Sequence, residues 1–306
     1  MALTHVALPY EQDEEFLGAA YPFLNEGLER DETVLAVTCE RKTGLLREKF
    51  GTQVRYVSPS SFYEHPARVV SRVLHQMEAA AENGRRVRLL AEPEWKDRTG
   101  WETVEWLRLE ALVNVALART DGAIMCPYHR DLPGPVLDGA RRTHPLLARD
   151  GRPRDNPAYL DPAVFSAMCD LPLPPVPGHA LEMPLHSPDL REPRALITVY
   201  ARRYGLGGHR LHQLLVAFTE VATNALGHGE PPVLLRVWEE KEALLCEVSD
   251  RGHWCPPERH GPGWLPPGTA GSPRLGLWAV RMLCGLVQVR TGAEGTRIRL
   301  HTPFHE

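Results

Sequence analysis

At 306 residues the chain is about twice the length of a typical domain, so two domains are expected. A net charge of −4 and a pI near 6.4 argue against a general nucleic-acid binder, which needs a basic face. With 43% hydrophobic and 24% charged residues the chain is not disordered over most of its length, and no uncharged apolar run approaches the roughly 20 residues of a membrane span. The N-terminus carries acids where a signal peptide would carry Lys or Arg. The cysteines Cys39, Cys126, Cys169, Cys246, Cys255 and Cys284 are scattered without a CxxC pair, which suits reduced thiols in a cytoplasm rather than disulfides or a zinc ribbon.

In chain order, residues 11–29 set Phe16, Leu17, Ala20, Leu24 and Leu28 on one helical stripe. Residues 34–38 (VLAVT) read as a strand, 41–50 as a helix and 54–57 as a strand. A helix over 66–83 follows through Val69, Val70, Val73, Leu74 and Met77, then a strand at 87–91, a helix at 101–119 and a strand at 122–126. Near-continuous apolar strands separated by helices imply a doubly wound α/β domain with a parallel sheet covered on both faces.

Such a sheet binds ligands at the carboxyl ends of its strands. The residues after VLAVT are CERKTGLL, with neither GxxxxGK[ST] nor GxGxxG, so the first domain is not expected to be a nucleotide enzyme. The strand ends instead bring Glu92-Pro93-Glu94-Trp95 and Cys126-Pro127-Tyr128-His129, with His144-Pro145 further on. Cys126, His129 and His144 read either as a metal or sensing cluster or as a buried thiol, a capping histidine and a proline-bounded turn. Lacking metal-ligand spacing, they favour the second reading. The arrangement of His5 through Tyr10, the segment 28–37, Cys126-Pro127-Tyr128, His144-Pro145 and Asn156-Pro157 to Asp161-Pro162 resembles the MEDS sensory domain over residues 3–165. That resemblance implies a RecA-like α/β unit without an ATP loop that senses a small organic molecule in a bacterial regulator.

Residues 171–188 hold six prolines, which can neither continue a helix nor sit inside a sheet, and read as a linker. The expected division is a sensory domain at 1–168, a linker at 169–188 and a second domain at 189–306. From Arg191 onward there are 14 basic and 11 acidic residues, so the acidic excess lies in the first half.

Residues 208–229 form an amphipathic helix with Leu211, Leu214, Leu215, Phe218 and Val221 inward. Glu220 and Asn224 leave one face of it, and His228 extends the row. A carboxamide oxygen suits Mg²⁺, a hard ion, and a carboxylate suits orienting or deprotonating an attacking hydroxyl. Alone, E-x-x-x-N is weak. Strands at 233–238 and 243–249, joined by a charged turn, end in Asp250-Arg251-Gly252, where an aspartate can accept from an adenine amine and glycine lets the base approach. A proline- and glycine-rich loop over 255–273 precedes Leu275-Gly276-Leu277, which opens a helix whose N-terminus is a ready anion site. Gly295-Thr296 then leads into a strand at 297–301.

This order is similar to the GHKL (Bergerat-fold) ATPases, an α/β two-layer sandwich, and within them to the anti-sigma-factor serine kinases, over residues 195–304. The resemblance implies ATP and Mg²⁺ as cofactors, a catalytic base at Glu220 and a Mg²⁺ ligand at Asn224. It further implies nucleotide contacts at Asn224, His228, Asp250, Gly252, Arg274, Gly276 and Thr296. Two positions depart from the pattern: Trp254 stands where the second glycine of DxGxG belongs, and Arg274 where the first glycine of GxGL belongs. Both bear on ATP affinity and lid closure, although Arg274 can still reach a phosphate. The implied partners are an anti-sigma-factor antagonist, whose serine or threonine would be phosphorylated, and/or a sigma factor. No nucleic acid or membrane partner is expected, and a homodimer is compatible. A non-catalytic, nucleotide-dependent switch that sequesters the partner is the alternative. A sensor histidine kinase would need a dimerising helix pair ahead of residue 195, where the chain is short and proline-rich.

Overall fold

Apolar strands with little polar surface must be sheltered on both faces. The computed structural model describes residues 3–63, 65–96, 98–149, 151–254, 260–266 and 276–304, and it divides between Cys169 and Asp170 into two units. In chain order the first unit comprises β1 (Thr4–Tyr10), α1 (Asp13–Glu29), β2 (Thr33–Val37), α2 (Glu40–Phe50), β3 (Arg55–Val57), α3 (Pro59–Phe62), α4 (Pro66–Glu82) and β4 (Val87–Ala91). It continues through α5 (Gly100–Ala116), β5 (Gly122–His129), α6 (Gly134–Thr143), β6 (Leu146–Arg149), β7 (Arg152–Asp155) and α7 (Pro162–Met168).

Its seven strands order as β3-β2-β4-β5-β1-β6-β7. All neighbours are parallel except the β6–β7 hairpin at one edge. This is the doubly wound sheet that the alternation predicts. The strand β1 is not among the expected elements, nor are α3, α6, β6, β7 and α7. β5 also runs three residues past Cys126, through Pro127, which stays in register with Leu8 of β1 although a proline reads as a strand breaker. Helix α5 is started by a capping box: Glu102 N donates to Thr99 Oγ1 at 3.2 Å and Thr99 N donates to Glu102 Oε2 at 2.7 Å.

Under α1 lies a core of Phe16, Leu24, Leu46, Leu90 and Met125. Beside it Arg88 of β4 is buried, its Nε donating to Glu32 Oε2 at 2.6 Å and its Nη1 to Glu26 Oε2 at 2.8 Å. A buried guanidinium is tolerable only when paired in this way. The helix passes over it at Gly27, where a Cβ would stand 2.7 Å from Arg88 Cδ and 2.9 Å from Val34 Cγ2.

The second unit contains β8 (Leu181–Leu185), α8 (Arg191–Arg203), α9 (Gly208–His228), β9 (Val233–Glu240), β10 (Ala243–Asp250), α10 (Gly276–Leu283), β11 (Leu286–Gly292) and β12 (Gly295–Pro303). Its strands form an antiparallel sheet in the order β11-β12-β10-β9-β8. One face of the sheet packs on the helices through Ile197, Leu214, Phe218, Val221, Leu235, Cys246 and Leu300, giving the expected two-layer sandwich.

The other face carries Arg299, paired with Glu247 at 2.7 Å and lying 4.8 Å from the Trp238 ring centroid. The proline-rich stretch runs across this face, for Arg299 Nη2 donates to Pro174 O at 3.0 Å and Arg290 Nε to Leu171 O at 2.6 Å. The expectation that residues 171–188 stay outside any sheet is therefore corrected. They supply edge strand β8, where Pro184 costs little because an edge strand leaves one side of its ladder unpaired. Among the described residues no helix is long and apolar enough to cross a membrane.

Because Arg88 is held by two carboxylates and Val34 is branched at Cβ, neither can retreat from an added methyl. Gly27→Ala is expected to destabilise the protein by about 1–3 kcal/mol. A lowered thermal midpoint checks this; an unchanged one would show that the arginine yields.

Candidate functional site

The apolar stripe of α9 faces the sheet, which leaves Glu220 and Asn224 on a half-buried flank of the helix beside Gly276. Asn224 Nδ2 donates to Glu220 Oε1 at 3.1 Å. A carboxylate only accepts, so the amide is oriented with its nitrogen toward Glu220 and its oxygen left for another partner. The helix is buttressed from α8, where Arg194 Nη1 donates to Leu215 O at 2.9 Å and to Thr219 Oγ1 at 2.6 Å. His228 closes α9 as an exposed residue, and no described contact ties it to the pair.

At the far end of α9 the chain meets β10. Asp250 is 8% exposed, and its Oδ1 accepts from Gly252 N at 2.7 Å and Glu230 N at 3.4 Å. Burial raises this carboxyl from its ordinary value, and the two amides pull the other way. No hydrogen bond among the described residues engages Oδ2. Thr296, paired with Asp250 across the β10–β12 ladder, donates from Oγ1 to Gly252 O at 3.1 Å. Two glycines make the junction fit. A Cβ on Gly229 would lie 2.5 Å from Asp250 Cγ, and one on Gly252 would lie 2.8 Å from Asp250 Oδ1.

Gly276, the first residue of α10, sits against the pair on α9: a Cβ there would stand 2.9 Å from Glu220 Oε1 and 3.9 Å from Asn224 Nδ2. The structure thus gathers Glu220, Asn224 and Gly276 in one place and Asp250, Gly252 and Thr296 in another, with α9 joining them. Arg274 lies outside the described residues. Trp254 is partly buried against the core of the unit.

Residues that the motif order does not single out also shape the site. Arg281 of α10 is buried, donates from Nε to Pro262 O at 3.1 Å and lies 4.1 Å from the Trp264 ring centroid. The described part of the glycine-rich loop is thereby fastened to α10. At Gly263 the φ of +69° and a Cβ distance of 2.6 Å to Leu277 C both demand glycine. The signal in the sequence was an arginine on the inward face of a short helix.

In the first unit Cys126 and His144 do come together, but with His5 and Glu110 instead of His129. All four are buried, and one ligand atom of each lies within 4.8 Å of the others. His129 points away: its Nε2 meets Glu11 O at 3.0 Å and its Nδ1 accepts from Asp131 N at 3.2 Å. Burial lowers the His5 imidazole to about 4 and carries His144 well below its ordinary value, so both rings are neutral. The same burial raises Glu110 to about 7 and pushes the Cys126 thiol up.

Comparison with known proteins matches residues 4–145 to the MEDS family (methanogen/methylotroph, DcmR sensory domain) and residues 184–302 to the histidine kinase-like ATPase domain. No curated protein matches the chain. Among solved structures, the RsbU and RsbW domains of a Mycobacterium tuberculosis protein match at 19% identity with a TM-score of 0.31, over 42% of this chain and 33% of that one. The chain therefore carries a MEDS domain in its first half and a histidine kinase-like ATPase domain in its second.

Proposed function

We propose that this chain is a cytoplasmic regulator of the anti-sigma-factor type. Its second unit binds Mg-ATP and phosphorylates a serine or threonine of an anti-sigma-factor antagonist, under control of a small organic molecule at the MEDS domain. One observation carries the reading: in a histidine kinase-like ATPase domain, Glu220 and Asn224 lie paired directly beside Gly276 at the start of α10.

The residues present fit a magnesium nucleotide. Asn224 Oδ1 is the free oxygen of an amide whose nitrogen is already engaged, and Mg²⁺ takes oxygen ligands. The ion, when bound, neutralises charge on the phosphates. Glu220 is the group placed to accept the proton of an incoming hydroxyl. Asp250 Oδ2 is free to accept from the adenine amine, with Gly252 leaving room for the ring and Thr296 steadying the Gly252 carbonyl. Gly276 brings the first amides of α10 to the phosphates, the favoured end of a helix for anions. His228 and Arg274 are further proposed nucleotide contacts, Arg274 through its guanidinium.

Trp254 favours a second reading, in which nucleotide only shapes a surface that sequesters a sigma factor or its antagonist. Its ring packs on the core where the related ATPases keep a glycine. Labelled ATP mixed with a candidate antagonist separates the two, since bound nucleotide without transfer supports the switch.

Glu220→Gln is expected to keep Mg-ATP binding and to lower phosphoryl transfer by about 10²–10⁴-fold. Transfer at the wild-type rate would remove Glu220 from the role of base. Asn224→Ala is expected to abolish Mg-dependent ATP binding in an equilibrium titration while leaving the thermal midpoint of the ligand-free chain near wild type. Gly229→Ala places a methyl 2.5 Å from Asp250 Cγ, so ATP affinity should fall together with stability by about 1–3 kcal/mol. Unimpaired ATP binding by that variant would detach Asp250 from the adenine.

A further inference from the structure

The first unit holds four metal-binding side chains that the proposed phosphoryl transfer does not use. His5 comes from β1, Glu110 from α5, Cys126 from β5, and His144 directly follows α6. We propose that His5, Glu110, Cys126 and His144 form a closed tetrahedral site for a zinc ion inside the MEDS domain.

The orientation of the two imidazoles carries the argument. Asn114 Nδ2 donates to Ala111 O at 3.1 Å and to Thr143 O at 2.8 Å, which fixes its Oδ1 as an acceptor for His5 Nδ1 at 2.9 Å. His144 Nδ1 meets Ala140 O at 2.9 Å, a carbonyl that can only accept. Both rings therefore carry their proton on Nδ1, and both Nε2 atoms turn a lone pair toward Glu110 and Cys126. This is the arrangement of metal-binding histidines, whose outer nitrogen donates to a carbonyl or amide oxygen.

The inner atoms are all lone-pair donors. Cys126 Sγ is 3.5 Å from His5 Nε2, and Glu110 Oε2 is 3.6 Å from His144 Nε2 and 4.0 Å from His5 Nε2. His144 Nε2 is buried with no hydrogen-bond partner. A proton shared between nitrogen and carboxylate would draw the two atoms to about 2.7–2.9 Å. Ligands of a common zinc ion, with bonds of about 2.0–2.3 Å, stand about 3.3–3.8 Å apart, which is the spacing seen for two of these contacts.

Charge and donor type agree. One thiolate and one carboxylate neutralise a dication, while the two imidazoles stay neutral, so the buried group carries no net charge. Two nitrogens, one sulfur and one oxygen suit zinc better than magnesium or calcium, which prefer oxygen alone. With every ligand buried and four protein donors, the site is of the structural kind: it ties β1, β5, α5 and the end of α6 together. Binding releases the thiol proton to solvent, and with it any proton held by the Glu110 carboxyl.

The test uses the full-length chain, expressed with zinc supplied, and measures metal per chain by mass spectrometry together with the absorption of the cobalt-exchanged protein. The expected result is one zinc per chain, a tetrahedral cobalt spectrum with a thiolate charge-transfer band, and a thermal midpoint that falls on chelation. Cys126→Ser should lose the thiolate band. Asn114→Ala, which touches no inner atom, should weaken zinc binding by about 10–100-fold. Should either variant fail to fold, the wild-type cobalt spectrum decides by itself. A wild-type chain that carries only trace zinc and yields no thiolate–cobalt band would overturn the proposal, leaving a proton-sharing cluster. Full zinc retention by Cys126→Ser would overturn it as well, by placing the metal elsewhere.

Discussion

The candidate site of the second unit depends on one hydrogen bond, from Asn224 Nδ2 to Glu220 Oε1. It spans one turn of α9, and it decides which way the amide faces. With its nitrogen committed to the carboxylate, Asn224 can offer only oxygen outward. The bond holds because the apolar residues of α9 bury the adjoining face, so the helix cannot rotate the pair away without exposing Leu214, Phe218 and Val221. The same burial places Gly229 at the end of the helix, under Asp250.

Close approach is the second constraint. Gly229 and Gly252 both lie nearer to the Asp250 carboxylate than a Cβ allows, and Gly276 lies that near to Glu220. Backbone thus abuts carboxylate midway along α9 and again just past its C-terminus. The carboxylates are held by packing as well as by hydrogen bonds, with Asp250 Oδ1 engaged and Oδ2 left open. Phosphoryl transfer depends mainly on positioning and charge, so rigid placement of these few groups is the contribution the chain itself can make.

Much of this was legible in the residues, for reasons that differ along the chain. Long apolar stripes declared α1, α4 and α9, and Val/Leu/Ala-rich runs, unbroken at 34–37 and interrupted only by Arg88 at 87–91, declared β2 and β4, because burial imposes those periods. α8 was missed because REPRALITVYARR carries Pro193 and many charges beside a proline-rich stretch, and β8 because an edge strand tolerates the prolines that argue against a strand. In the first unit, His129 was the wrong partner for Cys126. The two are three positions apart on β5 and so leave opposite faces of the sheet. His5 is the right one, since Cys126 pairs with Ala7 and His5 is two residues along the same face of β1. That relation exists only once β1 and β5 are neighbours, and no local spacing announces it. Glu110 is likewise brought in by the packing of α5.

The central claim is that Glu220, Asn224 and Gly276 surround the triphosphate end of a magnesium nucleotide. Equilibrium titration of the full wild-type chain with ATP, once with Mg²⁺ and once with a chelator, tests it most directly. The account predicts saturable binding at one site with Mg²⁺ and a large loss of affinity without it. No binding in either condition, or equal affinity in both, would contradict it.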